Sequence, residues 1–469
     1  GLATAARIAY PIGVSVAPDG SLYILDTSHN SVIRRVSLPF PVADLDDVVL
    51  PSEDGSLLYH FDRTGRHLET LDALTQGELL TYRYDAEGRL TEVEDADMNI
   101  TTIEWNPDGT PAAVEAPFGQ RTTFTTDANG YIDSITSPEG TVSAVYDAQG
   151  LMQSWTDARG ITTSFTYNAE GPLAVHDDPG PGWRSFDRVE LEQTEDRLTG
   201  SVVTVTTALG RTTSYRTERL TDDTMVRQTT GPDGLTTELL IHPDGLRELT
   251  TPDGTVVTQR LGPDPRFGLL APVTELYEVE TPDGITSTVT ASRTSDPPWV
   301  VQLGDLISLT DTVTVGDRTT TSVYEAATRT VTTTSHGGRQ AVATLDAIGR
   351  LTDAQTADLE PVAVTYDAFG RPETMTTGTG DIARLTVLGY DPVTGYMDTV
   401  TDPIDAVWSY IRDDAGRVTT LTRPDLEQIG FSYDGNSNVE SVTPPGRTDH
   451  LFTYTDLDAL ESYTPPAVE

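Results

Sequence analysis

The sequence predicts an all-β protein, a long antiparallel β-hairpin repeat array wound into a hollow spiral or barrel-like shell. Three observations predict it. A short phrase recurs in phase along the 469 residues: aromatic, Asp or Asn, two variable residues, Gly, one variable residue and one apolar residue. The segments between phrases alternate bulky and polar residues with a period of two, as half-buried strands do. No amphipathic helical stretch of useful length interrupts them, and Thr and Val are abundant.

A repeat is the first thing to test for, because missing it misassigns the whole fold. The phrase appears as Tyr84-Asp85-Ala86-Glu87-Gly88-Arg89-Leu90, then as Trp105-Asn106 with Gly109, Asp127 with Gly130, Tyr146-Asp147 with Gly150, and Tyr167-Asn168 with Gly171. Its Asp/Asn positions 85, 106, 127, 147 and 168 advance in steps of 20–21. An earlier copy is Phe61-Asp62 with Gly65. The series resumes at Asp346 with Gly349, Tyr366-Asp367 with Gly370, Tyr390-Asp391 with Gly395, and Asp413 with Gly416. Tyr433-Asp434 follows, with Ser437 where Gly is expected, and Tyr454-Thr455 with Asp458 ends the series.

Each copy has the chemistry of a hairpin corner. Asp or Asn accepts hydrogen bonds from the backbone just beyond it, two residues form a type I turn, and Gly supplies the left-handed conformation that restores pairing. Leading strands place Tyr82 and Tyr84, Ile103 and Trp105, and Phe165 and Tyr167 on one face, with Arg83, Glu104 and Thr166 on the other. A second glycine row, Gly119, Gly140 and Gly160, marks the corner at the opposite end of each repeat. Each unit is therefore two short strands and two turns. Strands of 6–7 residues reach about 20 Å and lie about 4.8 Å apart. A sheet this wide must coil through its twist, giving a spiral with a lumen.

The Tyr-Asp-x-x-Gly-Arg-Leu phrase at this spacing resembles the YD (RHS) repeat family, which includes bacterial RHS toxins, the C component of insecticidal Tc toxins and the teneurin shell. The resemblance covers roughly residues 55–180 and 341–469. It implies a hollow shell wound from a β-strip. The RHS self-cleaving segment lies beyond the repeats in that family and is not recognisable here, so no active site is carried over. Residues Pro11–Asp26, continuing through Asn30, Ile33, Arg34 and Val36, are similar to one blade of an NHL propeller. A lone blade cannot close a propeller, so the chain reads as part of a longer protein. No signal peptide opens it at Gly1.

Four regions follow: 1–45, a partial NHL-like blade and connector; 46–180, a first YD array; 181–340, a divergent β-segment of the same shell; and 341–469, a second YD array. In 181–340 Pro-Asp-Gly turns recur unevenly, starting at 232, 243, 252 and 282. A separate β-domain is the alternative there.

Composition excludes several chemistries. All 30 basic residues are arginine and cysteine is absent. Disulfides, thiolate zinc sites, lysine Schiff bases and Walker-type phosphate loops are therefore ruled out. The net charge of −43 opposes nucleic-acid binding. Hydrophobic residues make up 36%, below the roughly 45–50% of a compact domain in a count that includes glycine. That suits a wall wetted on both faces. The longest apolar runs fall far short of a membrane span. The acidic excess suits a secreted or salt-adapted protein, although a plain solvated surface is the simpler account.

The seven histidines form no close ligand pair, and His60 and His67 read as cross-strand neighbours. Asp95-Ala96-Asp97-Met98-Asn99 opens like a calcium loop but has Ile100 where Gly is needed, so it reads as a turn. Asn99-Ile100-Thr101 is a sequon, common by chance. The post-turn Arg89, Arg350, Arg371 and Arg417 are placed to pair with nearby carboxylates. No Gly-x-Ser-x-Gly elbow occurs. The expectation is a non-enzymatic shell without cofactor, belonging to a secreted or cell-surface protein of bacterial or archaeal origin. It would enclose its own C-terminal segment or a toxin cargo. The alternative is a teneurin-like adhesion scaffold that meets a cell-surface receptor. A carbohydrate-binding or carbohydrate-active β-protein is a weaker third.

Overall fold

The computed structural model describes residues 47–298 and 303–466, and of the N-terminal part the backbone of Pro11–Val16, Leu22–Asp26 and Val32–Val36. Those three strands pair antiparallel in order, Val14 opposite Ile24 and Ile24 opposite Arg34. The rest of the proposed propeller blade lies outside the described residues.

Among the described residues from Asp47 onward, the strands belong to one antiparallel sheet of 37 strands. The described pairings join strands consecutive in the chain, such as Ile132–Ser137 with Gly140–Tyr146. The sole helical features among the described residues are two short 3₁₀ turns, Leu303–Asp305 and Gly380–Ile382. The all-β hairpin array read from the sequence is what the structure shows. The reason is local. Alternating Thr/aromatic segments such as Arg121–Thr126 and Thr162–Tyr167 expose every second residue and half-bury the others.

The chain forms two compact units. One comprises residues 1–82, 259–278 and 287–359, and the other 83–258, 279–286 and 360–469. In the second unit the buried apolar side chains are few and small, Ala113, Ala144 and Val226. Over 83–177 and 360–466 its strands are of 5–7 residues between corners and leave little interior to fill. Over 181–340 the strands lengthen, as in Arg197–Thr207, Gly268–Glu280 and Thr286–Asp296. Longer strands displace the corners, which is why the 21-residue phase disappears in that stretch.

The first unit holds a denser core. Phe267 and Leu58 are fully buried with Ala73 and Ala271 around them. Leu306, Leu309 and Tyr324 form a second cluster. Beside Phe267 lies a buried ion network. Arg266 forks onto Asp264 at 3.1 and 3.0 Å, donates to the carbonyls of Gly55 and Ala73, and stacks over the Phe267 ring at 4.4 Å. Arg293 bridges Asp264 at 3.0 Å and Asp311 at 2.6 and 2.9 Å. Burial alone would raise the Asp264 carboxyl, but the hydrogen bonds and charge of Arg266, with Arg293, hold it below its ordinary value.

Removing one member of a buried pair strands the others, at about 3–5 kcal/mol. Asp264→Ala, which leaves Arg266 without its carboxylate and Arg293 with Asp311 alone, is expected to lower stability by that order in urea unfolding. Replacing Asp264 and Arg266 together by Leu and Met is expected to cost less than the single change.

Candidate functional site

The recurring structural element of this chain is its row of hairpin corners. At Asp85 the backbone closes a turn: Gly88 N–H donates to the Asp85 carbonyl and Asp85 N–H to that of Arg89. The Asp85 side chain accepts from Arg89 N–H at 2.8 Å. The same bonds close Asp127, Asp147, Asp346, Asp367, Asp413 and Asp434. Asn106 with Gly109 and Asn168 with Gly171 use the same backbone closure. At Asp391 the inserted residue shifts the bonds to Val393 and Thr394, while Gly395 still closes the turn.

The fourth residue adopts positive φ throughout: Gly88 at 84°, Gly130 at 87°, Gly349 at 85° and Gly416 at 82°. The sequence departures keep the geometry. Ser437 stands at φ 66° and Asp458 at 57°. Met98, in the segment that mimics a calcium loop, stands at 66°, and Asp95 there accepts from Asp97 and Asn99 N–H as any other corner does. Among the described residues no group of three or more His, Asp or Glu is arranged to hold a metal.

The phrase's aromatic and arginine stitch neighbouring repeats, which sequence reasoning missed. Tyr167 Oη donates to the Met152 carbonyl, Tyr433 to Val418 and Tyr454 to Val439, each fifteen residues back. Trp105 Nε1 does the same to Leu90, and Tyr390 reaches Pro372. In each case the acceptor lies two residues past the previous corner's fourth position. The arginine first locks its own corner: Arg89, Arg350, Arg371 and Arg417 bond the second carboxylate oxygen of Asp85, Asp346, Asp367 and Asp413 at 2.7–2.8 Å. It then reaches forward. Arg371 lies 4.1 Å from the Tyr390 ring and donates to Gly395 O, while Arg417 lies 5.0 Å from Tyr433 and donates to Asp434 O. The near-constant repeat offset between each aromatic and the preceding Gly-Arg was the available signal.

Within each unit the chain also returns onto itself, corner against corner. In the first unit Gly77 abuts Ala347 and Ile348, and Gly349 abuts Asp72. In the second, Asn99 Nδ2 donates to Phe369 O at 3.0 Å and Gln120 Nε2 to Thr394 O at 2.6 Å. Phe118 packs on Phe369 with centroids 5.1 Å apart, and Arg371 lies over it. Further on, Asn436 Nδ2 reaches Asp157 at 2.5 Å, and Arg159 donates to Thr455 O and pairs with Asp434 and Asp458. The hydrogen-bonded partners are separated by 270, 274, 279 and 296 residues. Glycine permits the closest approaches. At Gly435, whose φ is ordinary, a Cβ would sit 2.8 Å from Ala158 O.

Among the described residues the corner carboxylates accept from backbone N–H groups, and those of Asp85, Asp346, Asp367 and Asp413 from arginine as well. A hollow of about 220 Å³ in the first unit is lined by Asp54, Asp72, Arg266, Arg293, Asp311 and Tyr324, each already hydrogen-bonded: Arg293 to Asp311, Arg266 to Asp264, Asp54 to Ser56, Asp72 to Thr75 and Tyr324 to Leu74 O. Among the described residues no helix is long and apolar enough to cross a membrane.

The corner carboxylates carry an acid dependence. Burial would raise Asp346, Asp367 and Asp413, yet the bonds from Arg350, Arg371 and Arg417 and from backbone N–H groups hold them below the ordinary value. A depressed folded-state pKa contributes stability above the unfolded value, about 3.9, and loses it as pH falls through the folded value. Melting temperature is expected to be flat from pH 7 to about 5 on this account and to fall below about pH 4. Asp367→Asn is expected to shrink that acid-dependent drop.

The Teneurin YD-shell family model matches residues 47–466. Mouse Teneurin-3 is 31% identical over 176 residues, 37% of this chain and 6% of that protein. Chicken Teneurin-1 is 26% identical over 244 residues, 50% of this chain and 9% of that protein. The crystal structure of TcdB2-TccC3 without its hypervariable C-terminal region aligns with 94% of this chain and 24% of that one, at 13% identity and a TM-score of 0.41. The chain thus spans less than a tenth of these curated relatives. With a family match running through nearly all of the repeat region, the chain belongs to the Teneurin YD-shell family.

Proposed function

We propose that this chain is a non-enzymatic wall segment of a hollow shell in a secreted or cell-surface protein, enclosing that protein's own C-terminal segment or a toxin cargo. The observation that carries the reading is the return of corner upon corner after 270–280 residues within each unit. A ribbon that stacks on itself about eleven to twelve two-strand repeats later builds a continuous wall that needs little core along its regular arrays. Family membership and the small buried interior of the second unit support the same reading. The four regions read from the sequence fit it, with 181–340 as longer-stranded members of one wall and 46–180 and 341–469 as its regular arrays. An adhesion scaffold that meets a cell-surface receptor is the alternative, favoured by the identity to teneurins.

Electron microscopy of the longer protein to which the chain belongs tests the proposal. The expected result is a hollow particle with density inside and protease protection of the enclosed segment. A solid particle, or an empty one whose added segment is cut as fast as free peptide, would overturn encapsulation.

A further inference from the structure

Four consecutive strands of the second unit sort their charges by face. They are Thr212–Leu220, Met225–Thr230, Thr236–Ile241 and Leu246–Thr250. They pair antiparallel in that order. Successive side chains on a strand point to opposite faces, and cross-strand partners share a face. The three carboxylates of these strands, Glu218, Glu238 and Glu248, all fall on one face. Glu218 lies opposite Val226, Val226 opposite Leu240 and Leu240 opposite Glu248, while Glu238 lies opposite Gln228. Arg216 shares that face and pairs with Glu218 at 3.0 Å. The other face carries the remaining charges of the four strands, Arg219, Arg227 and Arg247, and no strand carboxylate.

The arginines border an apolar patch. In one row across the strands Arg219 lies opposite Met225, Met225 opposite Ile241 and Ile241 opposite Arg247. In the next row Arg227 lies opposite Leu239, and Leu239 opposite Leu249. Along single strands, Met225 precedes Arg227 and Arg247 precedes Leu249 by two residues, about 6.8 Å. Arg227 is exposed, and Arg247 and the four apolar side chains are half-buried. Arg219 pairs with the turn residue Asp223 at 2.8 Å. Neither the Arg227 nor the Arg247 guanidinium has a hydrogen-bond or ion-pair partner among the described residues. The corner arginines Arg371 and Arg417, by contrast, are each held by an aspartate. Solubility does not call for these two cations either, because a net charge of −43 already supplies it.

We propose that this face is a docking surface for an extended acidic polypeptide segment whose carboxylates alternate with apolar side chains. Charge complementarity supplies the first argument: unpaired guanidiniums offer forked donors that match a carboxylate, on a face cleared of competing carboxylates. Pitch supplies the second. Alternate side chains of an extended peptide are about 6.8 Å apart, the spacing of Met225 from Arg227 and of Arg247 from Leu249. The aliphatic residues between the arginines supply the third. They give apolar peptide side chains a contact that a sulfated or phosphorylated polyanion cannot use. The proposal is independent of what the wall encloses.

The test titrates the whole chain into a fluorescent peptide of four Glu-Thr-Leu-Thr copies and reads anisotropy. Physiological salt is used, where charges more than about 8 Å away are largely screened. Saturable binding is expected. Arg227→Gln with Arg247→Gln, which removes no contact of the fold, is expected to weaken it about tenfold or more. Leu239→Thr, which keeps strand propensity, is expected to weaken it as well. A peptide of the same composition with its Glu and Leu residues in separate blocks is expected to bind about tenfold more weakly than the alternating one. Dextran sulfate serves as the competing probe. No saturable peptide binding overturns the proposal, and so does binding that the two glutamines leave unchanged. Dextran sulfate held through Arg227 and Arg247 but indifferent to Leu239→Thr, with the peptide no tighter than its blocked control, also overturns it, because the face would then read charge alone. Should Leu239→Thr lose its β-sheet circular dichroism, Leu249→Thr is read in its place.

Discussion

Each four-residue corner satisfies its own backbone, and the wall stands on that self-sufficiency. A hairpin every ten residues leaves N–H groups at each turn that no strand can pair, and an unpaired buried donor is costly. The Asp or Asn side chain supplies the acceptor, and a fourth residue at positive φ lets the next strand leave in register. Because each corner completes itself, the array needs little core. The second unit buries a few small residues, yet its strands remain paired.

The corner is also the joint between repeats. Where an arginine follows the glycine, as at Asp367, the carboxylate uses one oxygen for the backbone and the other for that arginine, which lies beside the next repeat's aromatic. The aromatic in turn returns a hydrogen bond to the strand behind it. One recurring phrase is thus three interactions placed a repeat apart. A nearest-neighbour chain of this kind gains stability roughly by the repeat. The exception is the core around Phe267, where Asp264, Arg266 and Arg293 tie distant segments of the first unit together.

The hairpin array was legible in the sequence because its signals are local. Asp, Gly and strand alternation act within ten residues, and phase alone places even Ser437 and Asp458 at the corner position that takes positive φ. The stitching by Tyr167 and Arg371 was latent in the repeat offset, but residue type alone does not say which carbonyl accepts. The seam was not legible. Asn99, Gln120 and Gly435 look like ordinary turn residues, and their partners lie some 270 residues away, a distance no periodicity encodes. The buried Asp264–Arg266 pair was hidden for a different reason. It sits in the stretch where lengthened strands break the phase, so no repeat position points to it.

Corners serve two separate duties, turning the chain and stacking it, and hydrogen exchange on two glycine variants separates them. Gly130 has φ 87° and open space where a Cβ would sit, whereas Gly435 has ordinary φ and faces Ala158 O. Gly130→Ala is expected to cost about 1–2 kcal/mol through backbone strain and to leave exchange at residues 157–160 unchanged. Gly435→Ala is expected to accelerate exchange at 157–160 while its own hairpin stays protected. Equal exchange at 157–160 in both variants would contradict the division of duties.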